Sequence, residues 1–552
     1  MSLDSPQPRP LRRAASLAAR PLAIALPVVA ALAFYAADSG PGSGMAEFVE
    51  GLPVVEALTA QRPVSAEALQ VRFTTDSTAT IGGESVALHP SVHAFYAARV
   101  FEPVWTDPAA RDTMVAALMA VEDEGIRPAE VGADRLADRL AAVTEAESTR
   151  VDAEVLLTDS YFRFADALQG HRTDAAALYP RLWIPAVRRA APTQLLADAL
   201  LAEDPAAAVV AAVDRLRPAA PEYAALRREM ARVRRDDGMP RIPDGTALEG
   251  GVTDPAVVLL RQRLTRTGDY TAGAVPDSVA RIFDPSLADA LRRFQTRQGL
   301  TASGSLDEAT RTALNRRGDR MAPLLALNLE RWRWLPDSLG ERHVWVNLPS
   351  YSLQLRAREG TGWRNEREMI VVIGSPGRWS TPVFSDTITQ VVFSPTWTIP
   401  ASIQMESYGR VNPRGVVRGP GPGNPLGRIK FVFPNPDGIY LHDTTSRWGF
   451  ERDMRALSHG CIRLHEPQAL AEGVLAGEGW TTTQVDQRFT GPWETEPVNL
   501  AHPLSVHLVY FTAAPDATGR LQVFEDAYRY DERLAEALGY TAEELAAARE
   551  PA

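Results

Sequence analysis

The chain has 552 residues, 45% hydrophobic and 23% charged, the composition of a globular protein large enough for several domains. Its 58 basic and 69 acidic residues leave a net charge of −11, which excludes the basic signature of a nucleic-acid binder. A single cysteine, Cys461, excludes an internal disulfide.

At the N-terminus Arg9, Arg12, Arg13 and Arg20 form a basic tail, 1–20, ahead of an apolar run at 21–37. The positive flank predicts a cytoplasmic tail, with everything after Asp38 exported. Phe34 and Tyr35 stand where a signal-peptide cleavage site needs small residues, so an uncleaved membrane anchor is favoured over a cleaved signal peptide. Residues 38–87, rich at first in Gly, Pro, Ser and Thr, read as a linker. From 88 to 236 apolar residues recur at three- and four-residue spacing, predicting an all-helical scaffold domain. Its helices are expected around 94–99, 114–119, 153–164, 193–202, 205–216 and 221–235. Asp159, Arg163 and Asp166 read as the solvated face of the third.

After a glycine-containing loop, Pro240 to Thr253, residues 254–316 carry the apolar pattern of two or three short helices with glycine turns. Phe294-Gln295-Thr296-Arg297-Gln298-Gly299-Leu300, then Gly304-Ser305-Leu306-Asp307 and Thr310, resemble the small three-helix peptidoglycan-binding module of cell-wall enzymes.

From 340 to 530 the apolar period changes to two. His343–Leu348 and Tyr351–Arg356 flank Pro349-Ser350 as a hairpin, and β-rich runs follow at 369–373, 387–393, 430–433, 439–442, 504–512 and 521–524, with one helix near 466–476. A Gly/Pro-rich loop, Val411 to Gly427, interrupts them; a loop of that length in a compact domain is functional or disordered. The expected fold class is multidomain α+β: a helical scaffold, a three-helix module and a C-terminal mixed β-sandwich or barrel with a capping loop at about 400–438. Residues 531–552 read as a tail.

Chemistry concentrates in Ser458-His459-Gly460-Cys461-Ile462-Arg463-Leu464-His465. As a strand it puts His459, Cys461, Arg463 and His465 on one face. A thiol needs a base to become a thiolate near neutral pH, and a cation nearby favours the thiolate. His459 is two residues from the sulfur but held parallel to it. His442, ending Ile439–Asp443, lies beside the sulfur if its strand is adjacent, and is the favoured base. A metal site on His442, His459, Cys461 and His465 fits no recognised ligand spacing. A non-enzymatic scaffold leaves the coexistence of Cys461 and His442 unexplained.

Tyr440-Leu441-His442-Asp443-Thr444 and Ser458-His459-Gly460-Cys461-Ile462-Arg463-Leu464 resemble the signature of the L,D-transpeptidase (YkuD-type) catalytic domain. Thr381–Ser385, Val392–Pro400 and Gly419–Gly427 resemble its long, membrane-anchored subgroup. The resemblance implies Cys461 as nucleophile and His442 as proton donor and acceptor. Ser458, His459 and Gly460 shape the oxyanion pocket with the Cys461 N–H, and Arg463 supports the site. Trp397, Tyr440 and Arg418 are expected to contact substrate. No metal or cofactor is implied. The implied partners are peptidoglycan stem peptides, a tetrapeptide donor and an amine acceptor, with the membrane reached through the N-terminal segment. The implied location is the cell envelope, inner-membrane anchored with a periplasmic catalytic domain, and the implied reaction is 3→3 cross-linking with release of D-alanine. Water as acceptor gives L,D-carboxypeptidase activity, and carbapenems are expected to acylate the thiol.

Overall fold

The structure is a computed structural model that describes residues 64–179, 182–183, 190–235, 241–266, 268–271, 276, 279–297, 300–315, 318–516 and 519–549. The expected basic tail and membrane anchor or signal peptide, 1–37, lie outside these residues. Among the described residues no helix is long and apolar enough to cross a membrane.

The chain divides into two compact units, one ending at Ala117 but regaining Arg135–Asp159 and Pro192–Asp214, the other holding the rest. In the first, the linker expectation fails from residue 64 onward. Residues 66–87 form helix α1 (Ala66–Gln70) and a three-stranded meander, β1 (Phe73–Thr75), β2 (Thr78–Ile81) and β3 (Glu84–Ala87). Thr78-Ala79-Thr80-Ile81 alternates with Ala79 and Ile81 buried, a real period-two pattern written in residues that also populate loops. Helices α2 (Pro90–Ala97), α3 (Pro108–Met119), α4 (Ala133–Ala141) and the long α5 (Glu147–Leu168) follow.

Asp159 of α5 is not solvated as expected: it is 2% exposed and accepts the His89 N–H. Asp152 likewise accepts the Gly82 N–H at 2.8 Å, and Glu154 accepts the N–H groups of Val104 and Trp105. Acidic side chains on this helix satisfy buried backbone donors, which is what permits carboxylates inside.

Further on come α6 (Ala175–Leu178), β4 (Leu182–Trp183), α7 (Pro192–Leu200), α8 (Pro205–Leu216) and α9 (Pro221–Arg235). β4 departs from the all-helical expectation, since it adds in parallel to the C-terminal sheet beside Val383 and Phe384. Residues 253–315 contain three helices, α10 (Ala256–Arg266), α11 (Pro285–Arg297) and α12 (Glu308–Asn315), around their own core of Leu260, Leu264, Leu287, Leu291 and Leu306. Gln295, fully buried, bonds Ser303, Thr310, the Gly304 N–H and the Ser305 carbonyl, fixing the turn between the last two.

Helix α13 (Ala322–Arg333) leads into the strands β5 (Arg342–Asn347), β6 (Ser352–Glu359), β7 (Gly362–Gly374), β8 (Val383–Phe393), β9 (Trp397–Thr398), β10 (Val417–Arg418), β11 (Ile429–Val432), β12 (Leu441–His442), β13 (Ala456–Ser458), β14 (Ile462–Leu464) and β15 (Glu496–Val509). Eight of them are hydrogen-bonded in the order β11-β12-β14-β7-β6-β5-β15-β8, and β8 pairs again with β11, which closes the sheet on itself. Closure removes free edges and leaves one core, in which Val346, Leu353, Val371, Phe393, Phe431 and Ile462 meet. Helices α14 (Ala401–Tyr408), α15 (Pro467–Ala476) and α16 (Thr482–Thr490) lie between strands in sequence, and a pair β16 (Ala513–Pro515) and β17 (Leu521–Val523) follows.

The expected C-terminal tail is instead two helices, α17 (Tyr530–Ala537) and α18 (Ala542–Arg549). Leu534, Leu538 and Leu545 are buried in the barrel core, and Asp531 pairs with the buried Arg331 at 2.6 Å.

Candidate active site

Three short strands build the site. β11 is antiparallel to β12 with Lys430 opposite His442, and β12 is parallel to β14 with His442 opposite Arg463. Residues directly opposite in a sheet share a face, so Lys430, His442 and Arg463 stand in one row. The neighbouring row, Phe431, Leu441 and Ile462, is fully buried in the core. The site face and the core face are therefore fixed by the same register.

Cys461 precedes β14. β13 ends at Ser458 and β14 begins at Ile462, so the motif is not the continuous strand expected. Gly460 breaks it with φ of +118°, a conformation that side chains rarely adopt, and a Cβ there would meet the Ile439 side chain at 3.0 Å. Hydrogen bonds lock the turn: Ser458 Oγ donates to the Cys461 carbonyl at 2.6 Å and accepts from the Gly460 N–H at 3.1 Å. Thr381 Oγ1 donates to the Gly460 carbonyl at 2.7 Å and accepts from the Gly374 N–H. Tyr528 bonds the Gly374 carbonyl and the Thr381 N–H behind it. Among the described residues the Cys461 N–H is left uncommitted, as an oxyanion donor must be.

Cys461 is half-buried. Burial pushes the thiol up to about 11, against the pull of hydrogen bonds from the Tyr440 backbone and hydroxyl and of the charges on Arg463 and Lys430. Trp397 in turn eases ionisation of the Tyr440 phenol, which burial and the Cys461 charge oppose. Arg418 lies opposite Trp397 across β9 and β10, its guanidinium 5.9 Å from the indole centroid.

His442 is buried, and its Nδ1 is hydrogen-bonded to the Asp443 carbonyl, which leaves Nε2 as the nitrogen free to accept a proton. Burial lowers its pKa to about 3, with Arg463 and Lys430 adding to the effect. The resting pair is thus a neutral thiol and a neutral imidazole. The Asp443 carboxylate takes no part: it accepts the Arg428 and Thr444 N–H groups and pins the end of the loop.

The two other motif histidines have aromatic and acidic partners. His459 packs edge-on against Trp379 at 4.8 Å and reaches Glu406 of α14 at 3.4 Å, and His465 packs against Phe450. The four candidate metal ligands do not converge, and among the described residues no group of three or more His, Cys, Asp or Glu is placed to hold a metal ion. The glycine-rich loop is ordered: Asn424 ties it to the carbonyls of Pro395 and Gly419, and β10 pairs with β9.

Sequence reasoning passed over Lys430, Thr381 and Tyr528. One signal was available for the first, because Lys430 is the only lysine in the chain. Its ammonium lies 5.6 Å from the Tyr440 ring centroid, and partial burial lowers its pKa.

Three stretches of the chain are similar to known families. Residues 341–485 match the family model described as "L,D-transpeptidase catalytic domain", 90–230 match "Scaffold domain", and 253–314 match "Putative peptidoglycan binding domain". A Haemophilus influenzae protein named "Putative L,D-transpeptidase" is 30% identical over 247 residues, covering 38% of this chain and 48% of that protein. The chain thus spans about half the length of this curated relative. Among solved structures, the Ldtfm-avibactam carbamoyl enzyme is 12% identical (51% of this chain, 98% of that one, TM-score 0.18). Bd1075 of Bdellovibrio bacteriovorus is 14% identical (36% of this chain, 54% of that one, TM-score 0.16). Both overlays are too loose to bear on fold or activity.

Proposed function

We propose that this chain, which carries an L,D-transpeptidase catalytic domain of YkuD type with a scaffold domain and a peptidoglycan-binding domain, cross-links peptidoglycan stem peptides. The observation that carries the reading is the placement of Cys461 beside Tyr440 with neutral His442 one row along the same face.

Cys461 Sγ attacks the carbonyl between the third residue of a tetrapeptide stem and its terminal D-alanine. His442 Nε2 takes the thiol proton as the S–C bond forms. The C–N bond breaks, that proton passes to the departing amine, and D-alanine leaves. A side-chain amine on the third residue of a second stem then attacks the thioester, returns a proton through His442, and frees the thiol in a 3→3 cross-link. Negative charge developing on the carbonyl oxygen is met by the free Cys461 N–H, and Gly460 supplies the backbone shape that presents it. A neutral pair suits this cycle, because the proton is transferred only when substrate is in place.

Water in place of the amine would give carboxypeptidase activity from the same thioester. Location outside the cytoplasm follows from the substrate, and tethering through 21–37 belongs to the same proposal. The test is mass spectrometry of muropeptides after incubation with a disaccharide-tetrapeptide. Dimers with one D-alanine lost per bond support the reading, and unchanged monomers sink it.

A further inference from the structure

The row Lys430–His442–Arg463 contains two cations beside a nucleophile and no anion. Several basic groups of the barrel find carboxylates, Arg342 pairing with Glu366, Arg356 with Glu222 and Arg331 with Asp531, and others find carbonyls, Arg428 that of Gly491 and Arg455 that of Phe450. Lys430 and Arg463 are half-buried and, among the described residues, form no salt bridge. Burying a cation without a partner is unfavourable, and for both residues burial depresses the pKa. The Cys461 thiolate is the charge that favours their protonated forms. An anion is missing from this face, and the substrate must bring it.

We propose that Lys430 and Arg463 form a carboxylate-binding subsite for the C-terminal carboxylate of the donor stem, the group on the residue that departs. The proposal rests on the transpeptidase reading above and adds the feature by which a donor is chosen. Position selects which carboxylate: the one on the departing residue is three bonds from the scissile carbon, so it lies close to the carbonyl that Cys461 attacks and within reach of charge-assisted hydrogen bonds from cations on the sulfur's face. A side-chain carboxylate on the third residue hangs from a longer, flexible arm and lies on the side of the substrate that stays attached. The Tyr440 ring beneath the ammonium holds Lys430 toward the sulfur row rather than letting it reach into solvent. With the carboxylate gripped, the scissile carbonyl is delivered to Cys461. A stem extended by one more residue would put an uncharged amide over the two cations and lose that grip. The subsite therefore makes the enzyme specific for a stem ending one residue after the attacked carbonyl.

The experiment compares two donors with the full chain: a disaccharide-tetrapeptide with a free C-terminal carboxylate, and the same molecule as its C-terminal carboxamide. Thioester formation on Cys461 is followed by intact-protein mass, and kcat/KM is taken for wild type, Lys430→Met and Lys430→Arg. Because Lys430 also acts on Cys461 and His442, the reading is the ratio of the two donors within each protein, in which any effect on the thiolate cancels. Wild type is expected to prefer the free acid roughly 30-fold or more, in line with a charge-assisted pair. Lys430→Met should bring the ratio down to about 5 or less, and Lys430→Arg should restore most of it. A wild-type ratio near one, or a ratio unchanged in Lys430→Met, overturns the subsite alone. If wild type forms no thioester with either donor while iodoacetamide still alkylates Cys461, the transpeptidase reading falls, and the subsite with it.

Discussion

His442 faces Arg463 directly across two parallel strands, and this pairing adds to burial in holding the imidazole neutral. A guanidinium in register with a buried imidazole, and Lys430 in register on its other side, both oppose protonation of the ring. With its pKa near 3, the imidazole stays available as a base well into the acid range.

The pH profile follows from that. An ordinary histidine, with a pKa near 6.5, would be about 97% protonated at pH 5, and a rate that needs the neutral ring would fall roughly 25-fold from pH 7. Here kcat/KM for thioester formation should change little between pH 7 and 5. Lys430→Met removes one repelling charge, so the His442 pKa rises and the acid limb moves to higher pH. A wild-type limb centred near 6.5 would show that the ring is not the buried, cation-flanked one described.

The thiol gives the complementary prediction. Burial raises it to about 11, so alkylation by iodoacetamide without substrate should climb steadily from pH 8 to beyond 10. Lys430→Met shifts the climb further up, because losing a cation disfavours the thiolate. A plateau below pH 8 would mean a preformed thiolate.

Gly460→Ala should cost about 1–3 kcal/mol in stability, for a side chain forced into left-handed backbone against Ile439, and at least about 100-fold in thioester formation. Urea unfolding and intact mass measure the two effects. Activity within tenfold of wild type would show that the turn at Gly460 does not position Cys461.

Away from the site, Glu124 is 1% exposed, and burial alone would raise its pKa. Arg217, Arg227 and Arg333, with the Tyr223 hydroxyl, overcome that and bring it to about 2. Glu124→Ala leaves three guanidinium groups facing a hole and should destabilise by about 3–5 kcal/mol in chemical unfolding at pH 7. A loss below about 1 kcal/mol would mean that the cluster is not a structural keystone.

The fully buried His343 and His507 face each other at 5.3 Å between ring centroids, with pKa values depressed by burial to about 3 and about 4. The unfolded chain binds their protons below about pH 6.5 and the folded protein does not. Stability therefore falls with pH from about 6.5 to 4, by up to about 1.4 kcal/mol per unit for each histidine. Thermal melts across that range measure the slope. His507→Gln should flatten it, and an unchanged slope would place the acid sensitivity elsewhere.

Much of this architecture is written locally. The three- and four-residue spacing of apolar side chains marks α2, α3, α5 and the helices of 192–235, and alternation marks the β5–β6 hairpin. Where reading failed, the cause was non-local. The Thr-rich β2 looks like loop until Ala79 and Ile81 are seen buried, and Leu534, Leu538 and Leu545 sit among charges that read as a tail until the core receives them. Asp159 looks solvated because the backbone donor it serves, at His89, is far away in sequence. Cys461 and His442 stand out in sequence by residue type and motif. Lys430 does not, since its place beside His442 exists only through strand register, and a lone lysine among arginines reads as a compositional accident. A continuous strand over the motif is ruled out by Gly460, whose positive φ turns the chain between β13 and β14.

The most direct test of the central claim is intact-protein mass spectrometry of wild type and Cys461→Ala after mixing with a disaccharide-tetrapeptide. The expected result is a wild-type adduct equal to the donor minus D-alanine, labile to hydroxylamine, chased into 3→3 dimers by excess acceptor, with neither adduct nor dimer from Cys461→Ala. Dimers from Cys461→Ala, or wild-type dimers that retain the donor's D-alanine, would contradict it.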